Sequence, residues 1–231
     1  LDTSPSARIV PVAHAVAFVS HISSGVTQTS DPSHAANTEV PKKSLFAGLP
    51  VPRDEGLLMA IEIVKMPQKY KSRLTFGTAV LSAIVRQENI GDIAVPDSSC
   101  GIWQDSLSDN RGAFASRNGF GKRCDRSDDM LLSDPLRTNS RVVLLLSSPN
   151  QKRSERRVTV DGNLAAIWTD IPRDRGQLAM GATLPHGMHV KIADPSPSER
   201  SKAWWSERKA HAQQQEADRL ARADKPLPPH T

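Results

Sequence analysis

Residues 157–192, which read RVTVDGNLAAIWTDIPRDRGQLAMGATLPHGMHVKI, hold the clearest local signals in the chain. Two apolar runs, 157–160 and 164–168, flank the turn sequence DGN at 161–163. An Asp-Gly pair readily adopts the positive φ angles that a tight hairpin turn needs. We therefore predict an antiparallel hairpin with a three-residue loop.

The same stretch predicts further strands beyond the hairpin. The turn sequence LPHG at 184–187 has glycine available for positive φ, and residues 188–192 then alternate apolar and polar side chains. Alternation at period two is typical of a strand with one buried face. Residues 158–192 are thus predicted to form consecutive antiparallel strands of a meander.

Other apolar runs extend this interpretation to the rest of the chain. Residues 141–146 form a short run that is fully apolar after Arg141 and is followed by turn-forming residues, which suits a central strand buried on both faces. Residues 73–86 fit either a buried strand or a helix, and their β-branched side chains favour the strand. The sequence has 17 prolines but only 4% aromatic residues, a composition that favours extended arms.

Together these runs predict a mainly β fold, an antiparallel sandwich or barrel-like domain with an extended N-terminal arm and a C-terminal α-helix. We assign residues 1–52 to an N-terminal strand and extended arm. Residues 53–195 form a β-rich core domain with a long loop at 100–124, and residues 196–231 form a C-terminal helix and a proline-rich tail. At 231 residues the chain is long enough to bury a sizeable core.

A capping box marks the predicted start of the C-terminal helix. Ser196 and Glu199 are three residues apart, so each side chain can accept a hydrogen bond from the other's amide. Pro197 would occupy the first helical position, which proline favours. We predict a helix over residues 197–223.

This helix lacks a broad apolar stripe beyond Trp205. A helix that is polar on nearly all sides either bridges solvent or meets a partner. Trp204 and Trp205 are expected to anchor it, either on this chain or on a neighbour. Trp204, Trp205 and Leu220 are therefore candidate partner contacts.

Cys100 and Cys124 stand at the two ends of the predicted 100–124 loop. If they pair, they close a loop of about 25 residues, a constraint worth roughly 3 kcal/mol. Two unrelated thiols in a reducing compartment are the alternative. Two cysteines with no close histidine do not supply the four ligands of a structural zinc site.

A cluster of cations between residues 151 and 157 makes a candidate phosphate contact. Its members are Lys152, Arg153, Arg156 and Arg157. Arginine binds phosphate oxygens bidentately, whereas the alternative is a solvated tip between two strands. No aromatic residue lies among these cations, so the stacking platform of a single-strand binder is not visible.

The sequence contains no glycine-rich phosphate loop and no nucleophile elbow. His186 and His189 flank a turn, but odd spacing on a strand sends side chains to opposite faces, which argues against a shared metal. We therefore predict no catalytic residue, no metal and no cofactor, and we favour a protein that is not an enzyme.

The remaining features predict a non-enzymatic structural subunit of a larger assembly, of the capsid, secretion-machine or organellar-complex type. Its arms and helix would contact other protein subunits, copies of itself included. A nucleic-acid-associated protein binding phosphates through basic loops is the alternative, consistent with a net charge of +5. An enzyme of unrecognised type is the third option. No run reaches the roughly 18 to 20 apolar residues of a membrane span, and the start at Leu1 suggests a processed chain or a fragment, soluble or assembly-bound.

Overall fold

The computed structural model describes the parts of the chain that build two β-sheets and one C-terminal helix. These are residues 12–15, 17–18, 27–28, 31–38, 45–52, 55–70, 73–81, 99–105, 111–115, 134–150, 153–172 and 177–223. In chain order the elements are β1 (Val12–His14), β2 (Thr27–Gln28), β3 (His34–Ala36), β4 (Leu45–Pro50), β5 (Gly56–Lys65), β6 (Leu74–Val80), β7 (Cys100–Gln104), β8 (Arg111–Ala115), β9 (Arg141–Asn150), β10 (Arg153–Val160), β11 (Asn163–Pro172), β12 (Leu178–Leu184), β13 (His189–Ala193) and helix α1 (Lys202–Ala223).

The strands form two sheets. The larger sheet has the order β11-β10-β9-β5-β13-β3-β2, and β1 pairs in parallel with β5. The smaller sheet has the order β4-β12-β6-β7-β8, with antiparallel ladders throughout. The predicted fold class, a mainly β antiparallel sandwich with a C-terminal helix, is confirmed.

The core lies between the two sheets and follows the period-two alternation of their strands. Met59 and Ile61 of β5 contribute from the larger sheet, and Phe76, Ile102 and Met180 contribute from the smaller one. Each of these side chains is at most 1% exposed. Full burial of such a side chain stabilises the fold by about 1.5–3 kcal/mol relative to its exposure.

The predicted hairpin is formed by β10 and β11. Val160 pairs directly with Asn163, so the turn consists of Asp161 and Gly162 alone. Both turn residues have positive φ, 49° for Asp161 and 82° for Gly162, as a two-residue type I′ turn requires. The predicted three-residue loop was therefore one residue too long, because Asn163 already belongs to the ladder.

The predicted meander does not continue past the hairpin. β12 pairs with β4 and β6 in the smaller sheet, and β13 returns to the larger sheet between β5 and β3. All seven residues of β12 are buried. Alternation indicates which face of a strand is buried but not which sheet the strand joins. The meander prediction was wrong for this reason.

Two segments that were predicted to be irregular contain strands. Within 100–124, β7 and β8 form a ladder that runs from Cys100 opposite Ala115 to Gln104 opposite Arg111, so the loop prediction was wrong there. Within 1–52, β4 borders β12 and β3 borders β13. Strands this short are stabilised mainly by their neighbours, so their own composition signals them weakly.

Helix α1 begins at Lys202, five residues later than predicted. The capping box does form, with the Ser196 amide 2.7 Å from a Glu199 carboxylate oxygen and the Glu199 amide 3.3 Å from the Ser196 hydroxyl. It closes a separate turn at 197–200. The hydroxyl of Ser201 accepts a hydrogen bond from the Ala203 amide at 3.2 Å. Ser201 is therefore the residue that caps the helix.

Gly181 in β12 marks a very close approach between strands of the smaller sheet. It lies opposite Gly48 on one side and Gly77 on the other. A Cβ atom placed on Gly181 would lie 2.6 Å from the Cα of Gly48, inside the 3.0 Å limit that real Cβ contacts respect. The clashing atoms belong to backbone and cannot rotate away, so this position requires glycine.

We expect Gly181→Ala to lower the free energy of unfolding by about 1–3 kcal/mol, as overpacking typically does. Gly112→Ala is the matched control in the same sheet, because the three atoms nearest to its new methyl all belong to the Trp103 side chain, at 3.1–3.4 Å, and none belongs to backbone. Urea unfolding of both variants measures the difference. A loss for Gly112→Ala that equals or exceeds the loss for Gly181→Ala would contradict the close approach.

Candidate interaction surface

The outer face of the larger sheet, directed away from the smaller sheet, carries the polar and aromatic groups that connect this sheet to helix α1. On β5, Leu58, Ala60 and Glu62 point outward because they alternate with the core residues Met59 and Ile61. Leu58 and Ala60 belong to a second apolar cluster, separate from the main core. Helix α1 packs on this cluster.

Trp205 fixes helix α1 on the outer face. Its side chain is 3% exposed and packs in the second cluster with Leu58, Val143 and Leu164. Its indole N–H donates a hydrogen bond of 2.7 Å to the Glu199 carbonyl oxygen. Trp205 is thus occupied by its own chain and is not accessible as the partner contact that the sequence suggested.

Trp204, in contrast, stays half-buried at the base of the helix. Its ring meets the Trp205 ring edge-to-face, with centroids 5.0 Å apart and planes at 87°. The Arg208 guanidinium lies 5.4 Å from the Trp204 ring centroid, within cation–π range. Trp204 therefore keeps an accessible face beside a cation.

Beyond Ala212, the side chains of helix α1 that the structure describes are exposed. Ala212 is the last buried residue among the described side chains of the helix. Beyond it, the described side chains are all exposed: Gln213, Gln214, Gln215, Ala217, Asp218 and Ala221. Gln214 donates to Asp218 at 2.9 Å along the helix. This half of α1 is helical, and each of its described side chains is open to solvent.

Arg141 of β9 ties the outer face to the turn before helix α1. Its Nε and Nη2 atoms donate to the two carboxylate oxygens of Glu199 at 2.9 and 2.8 Å. Its Nη1 donates to Glu62 at 2.9 Å, and Nη2 also reaches the Asp194 carbonyl oxygen at 2.8 Å. Lys191 completes the group with an ion pair of 2.8 Å to Glu62. We call Arg141, Glu62, Lys191 and Glu199 the outer-face ion network.

Both carboxylates of this network are held in their charged form. The pKa of Glu62 is lowered, first by the hydrogen bond from Lys191 and then by the nearby charges of Lys191 and Arg141. Burial acts to raise the pKa of Glu199, but hydrogen bonds from Arg141 and the Ser196 amide outweigh it, so that this pKa is also lowered. Both carboxylates are therefore ionised at neutral pH.

Two histidines meet on the same sheet, across the β3–β13 ladder. His34 Nδ1 lies 2.9 Å from His189 Nε2, and the ring planes are inclined by 49°. On the far side of His34, Nε2 lies 3.6 Å from the Asp31 carboxylate, which itself accepts a hydrogen bond of 2.7 Å from Ser33. The pKa of His189 is lowered by burial and, to a smaller extent, by His34 and Lys65.

Comparison with known proteins identifies the fold. No protein-family model and no curated protein matches the sequence. The TRIM65 PSpry domain superposes with a TM-score of 0.51, at 10% identity, over 79% of this chain and 94% of that domain. A human SPRY domain gives 0.49 at 10% identity over 74% and 98%, and the Emp46p carbohydrate recognition domain gives 0.42 at 12% identity over 72% and 82%. The chain has a SPRY-like β-sandwich fold.

The sandwich buries one of the basic residues that were predicted to bind phosphate together. Arg156 is only 2% exposed and donates a hydrogen bond of 2.6 Å from Nη1 to the Thr78 hydroxyl of the smaller sheet. It faces inward because it shares the parity of the core residue Val158. Arg156 therefore cannot reach a phosphate on the surface without leaving the core.

The other three predicted cations differ in their surroundings. Arg157 forms an ion pair with Glu155 on the same strand. Arg153 is exposed at the start of β10, and Lys152 lies outside the described residues. Among the described cations, Arg156 is thus the one that the structure separates from the surface, and a phosphate contact by the others stays a prediction.

The remaining predicted positions are separate from the outer face. Cys100 is buried at the start of β7. Cys124 and the side chain of Leu220 lie outside the described residues, so the disulfide and the Leu220 contact stay predictions. His186 Nε2 is 3.1 Å from the Thr38 carbonyl oxygen and does not join His189.

Two further kinds of feature are absent from the described part of the chain. No cluster of three or more His, Cys, Asp or Glu side chains in this part of the chain is arranged to hold a metal ion. Among the same residues, no helix combines the length and apolar character needed to cross a membrane.

Sequence reasoning missed the His34–His189 pair in the SPRY-like sandwich. The two residues are 155 positions apart in the chain. They meet because the register of β3 on β13 places His34 opposite Lys191 and Ala36 opposite His189, a diagonal arrangement. No local pattern reports such a register, so no sequence signal pointed to the pair.

Proposed function

We propose that this protein is a non-enzymatic structural subunit of a larger macromolecular assembly, of the capsid, secretion-machine or organellar-complex type. It contacts other protein subunits, copies of itself included, through the second half of helix α1. One observation carries the proposal. The first half of this 22-residue helix is fixed to the sandwich, whereas every described side chain after Ala212 is exposed.

The anchoring explains how an exposed helix can act as a contact element. A polar helix is marginally stable by itself in water, because its stability in proteins comes mostly from packing one face. Here Trp205 and the ion-paired Glu199 fix the first turns of helix α1 to the sandwich. The rest of the helix therefore continues from turns that are already held in place. A partner then binds a helix that is already formed, which reduces the conformational entropy lost on association.

The chemistry of the exposed half indicates the type of partner. Gln213, Gln214 and Gln215 offer amide donors and acceptors, and Asp218 adds a carboxylate. Trp204, with its accessible face, lies at the base of the same helix and provides an aromatic anchor of the kind found at the centre of protein interfaces. The complementary surface is therefore a protein groove that combines hydrogen-bonding groups with an apolar pocket.

Deleting the exposed half of the helix tests the proposal. We expect the full chain to form a defined particle larger than a monomer that persists at high salt. A chain ending at Ala212 should remain a monomer with the same strand signal in circular dichroism, because Trp205 and the ion network are retained. Light scattering on a sizing column, at low and high salt, measures both masses.

Two outcomes would contradict this assignment. Equal particle masses for the full and shortened chains would show that the contact lies elsewhere on the sandwich. A full chain that carries 260 nm absorbance at low salt and loses it at high salt would instead favour the nucleic-acid alternative, because phosphate contacts weaken steeply as salt rises.

A further inference from the structure

The His34–His189 pair brings two imidazole nitrogens within hydrogen-bond distance of each other across the β3–β13 ladder. His34 Nδ1 and His189 Nε2 are 2.9 Å apart. Two nitrogens bonded at about 2.0–2.1 Å to a single ion, with a right angle at the ion, lie about 2.9 Å from one another. A tetrahedral ion would require a separation of about 3.3 Å. The observed spacing, which without an ion is that of a hydrogen bond between the rings, equals the nitrogen separation for neighbouring positions of a tetragonal ion.

Asp31 supplies the outer partner that histidine ligands commonly have. A histidine bound to a metal through one ring nitrogen usually presents its other N–H to a carboxylate or a carbonyl oxygen, which fixes the tautomer. His34 Nε2 faces the Asp31 carboxylate at 3.6 Å, on the side opposite to Nδ1. Asp31 is held in turn by the Ser33 amide at 2.9 Å and the Ser33 hydroxyl at 2.7 Å. With the proton on Nε2, beside the Asp31 carboxylate, Nδ1 carries the lone pair that a metal ion needs.

The surrounding charges permit a cation at this point. Lys191 lies opposite His34 in the ladder, but its ammonium is bound to Glu62 at 2.8 Å. Lys65 lies opposite His189 in the ladder with β5, and its positive charge opposes a bound cation. The carboxylate of Asp31 offsets that charge from the other side. The local balance is therefore close to neutral.

We propose that His34 Nδ1 and His189 Nε2 bind a divalent late transition metal ion, copper(II) or nickel(II), in neighbouring coordination positions. Imidazole suits these ions, and tetragonal sites of nitrogen and oxygen ligands are typical of them. The described part of the chain supplies no third His, Cys, Asp or Glu ligand, so water fills the other positions. The bound ion bridges β3 and β13 and strengthens the edge of the larger sheet.

Calorimetric titration of the full chain with copper(II) at neutral pH tests this site. We expect one ion per chain, and we expect His34→Gln and His189→Gln each to weaken binding by at least about tenfold, as changes around metal ligands do. His186→Gln is the matched control, because His186 is three residues from His189 but contacts the Thr38 carbonyl oxygen. Its affinity for copper(II) should equal that of the unchanged chain.

Electron paramagnetic resonance of the unchanged chain tests the same site without any variant, so its result does not depend on whether a variant folds. The copper(II) spectrum should show hyperfine splitting from two imidazole nitrogens. Binding that His186→Gln weakens as strongly as His34→Gln would overturn the proposal, as would a spectrum with one nitrogen or none. Several weak ions distributed over the seven histidines of the chain would show adventitious binding and would equally overturn it.

Discussion

Trp205→Ala is expected to lower the free energy of unfolding by about 3–5 kcal/mol, the range typical of removing a buried tryptophan. The side chain is 3% exposed and joins helix α1 to Leu58, Val143 and Leu164. Alanine would leave a cavity between helix and sheet and would also leave the Glu199 carbonyl oxygen without the indole donor. Urea unfolding followed by linear extrapolation measures the loss.

Two further variants divide this effect into its parts. Trp205→Phe keeps most of the apolar contact but removes the N–H, so we expect a loss of about 1–3 kcal/mol, the penalty for a buried acceptor without a partner. Trp204→Ala removes an edge-to-face aromatic contact from a half-buried position, for which about 1 kcal/mol is expected. A larger loss for Trp204→Ala than for Trp205→Ala would reverse the roles of the two residues.

The contrast between these neighbours shows what the sequence could predict about the helix. The double tryptophan indicated an anchor, and the capping box indicated a start near Ser196. The sequence could not tell which ring faces the sheet, because that depends on the rotation of the helix about its axis. This rotation follows from Ser201, which caps the helix five residues beyond Ser196 and places Trp205 in its first turn.

The strands were likewise predictable where adjacent residues determine them, and not where pairing with distant residues determines them. The hairpin at Asp161 and Gly162 was predictable because its turn chemistry is contained in adjacent residues. The transfer of β12 to the smaller sheet was not, because it depends on pairings with β4 and β6 that lie far away in the chain. Local signals therefore identify strands and turns, whereas their order within the sheets is a property of the whole fold.

The candidate sites follow this rule too. The basic run near β10 was visible because its members are adjacent in sequence, yet strand alternation buries Arg156 and turns Arg157 the other way. The His34–His189 pair joins residues from opposite ends of the chain. The adjacent cations thus predicted a shared site that includes a buried arginine. The histidine pair was not predicted, because its two members are far apart in the sequence.

The second large effect is expected at Arg141, whose guanidinium connects Glu62 and Glu199. Arg141→Met keeps the apolar stem but removes the charge, and we expect a loss of about 2–3 kcal/mol at neutral pH. This is less than the roughly 3–5 kcal/mol for breaking a fully buried pair, because the side chains of Arg141 and Glu62 keep 25% and 31% of their surface exposed. Glu199, with 9% exposed, carries most of the penalty.

The same variant should change how stability depends on pH. In the unchanged chain, the folded-state pKa values of Glu62 and Glu199 lie below their ordinary value of 4.5. A lowered folded-state pKa contributes stability that is fully present above the unfolded value and is lost as pH falls through the folded value. The unchanged chain should therefore lose this contribution as the medium is acidified below about 4.5.

In Arg141→Met, burial of Glu199 is opposed only by Ser196, so the pKa of Glu199 should rise relative to the unchanged chain. The stability difference between the two proteins should then be largest at neutral pH and shrink on acidification. Urea unfolding at neutral pH and again well below the ordinary carboxyl value measures it. Arg157→Met is the control, because among the described residues Arg157 has its ion pair with Glu155 and with neither Glu62 nor Glu199. It breaks one ion pair and not a network, so we expect a smaller loss than for Arg141→Met, without the change on acidification that Glu62 and Glu199 cause. A difference that stays constant with pH would mean that Arg141 contributes through packing of its stem rather than through the ion network.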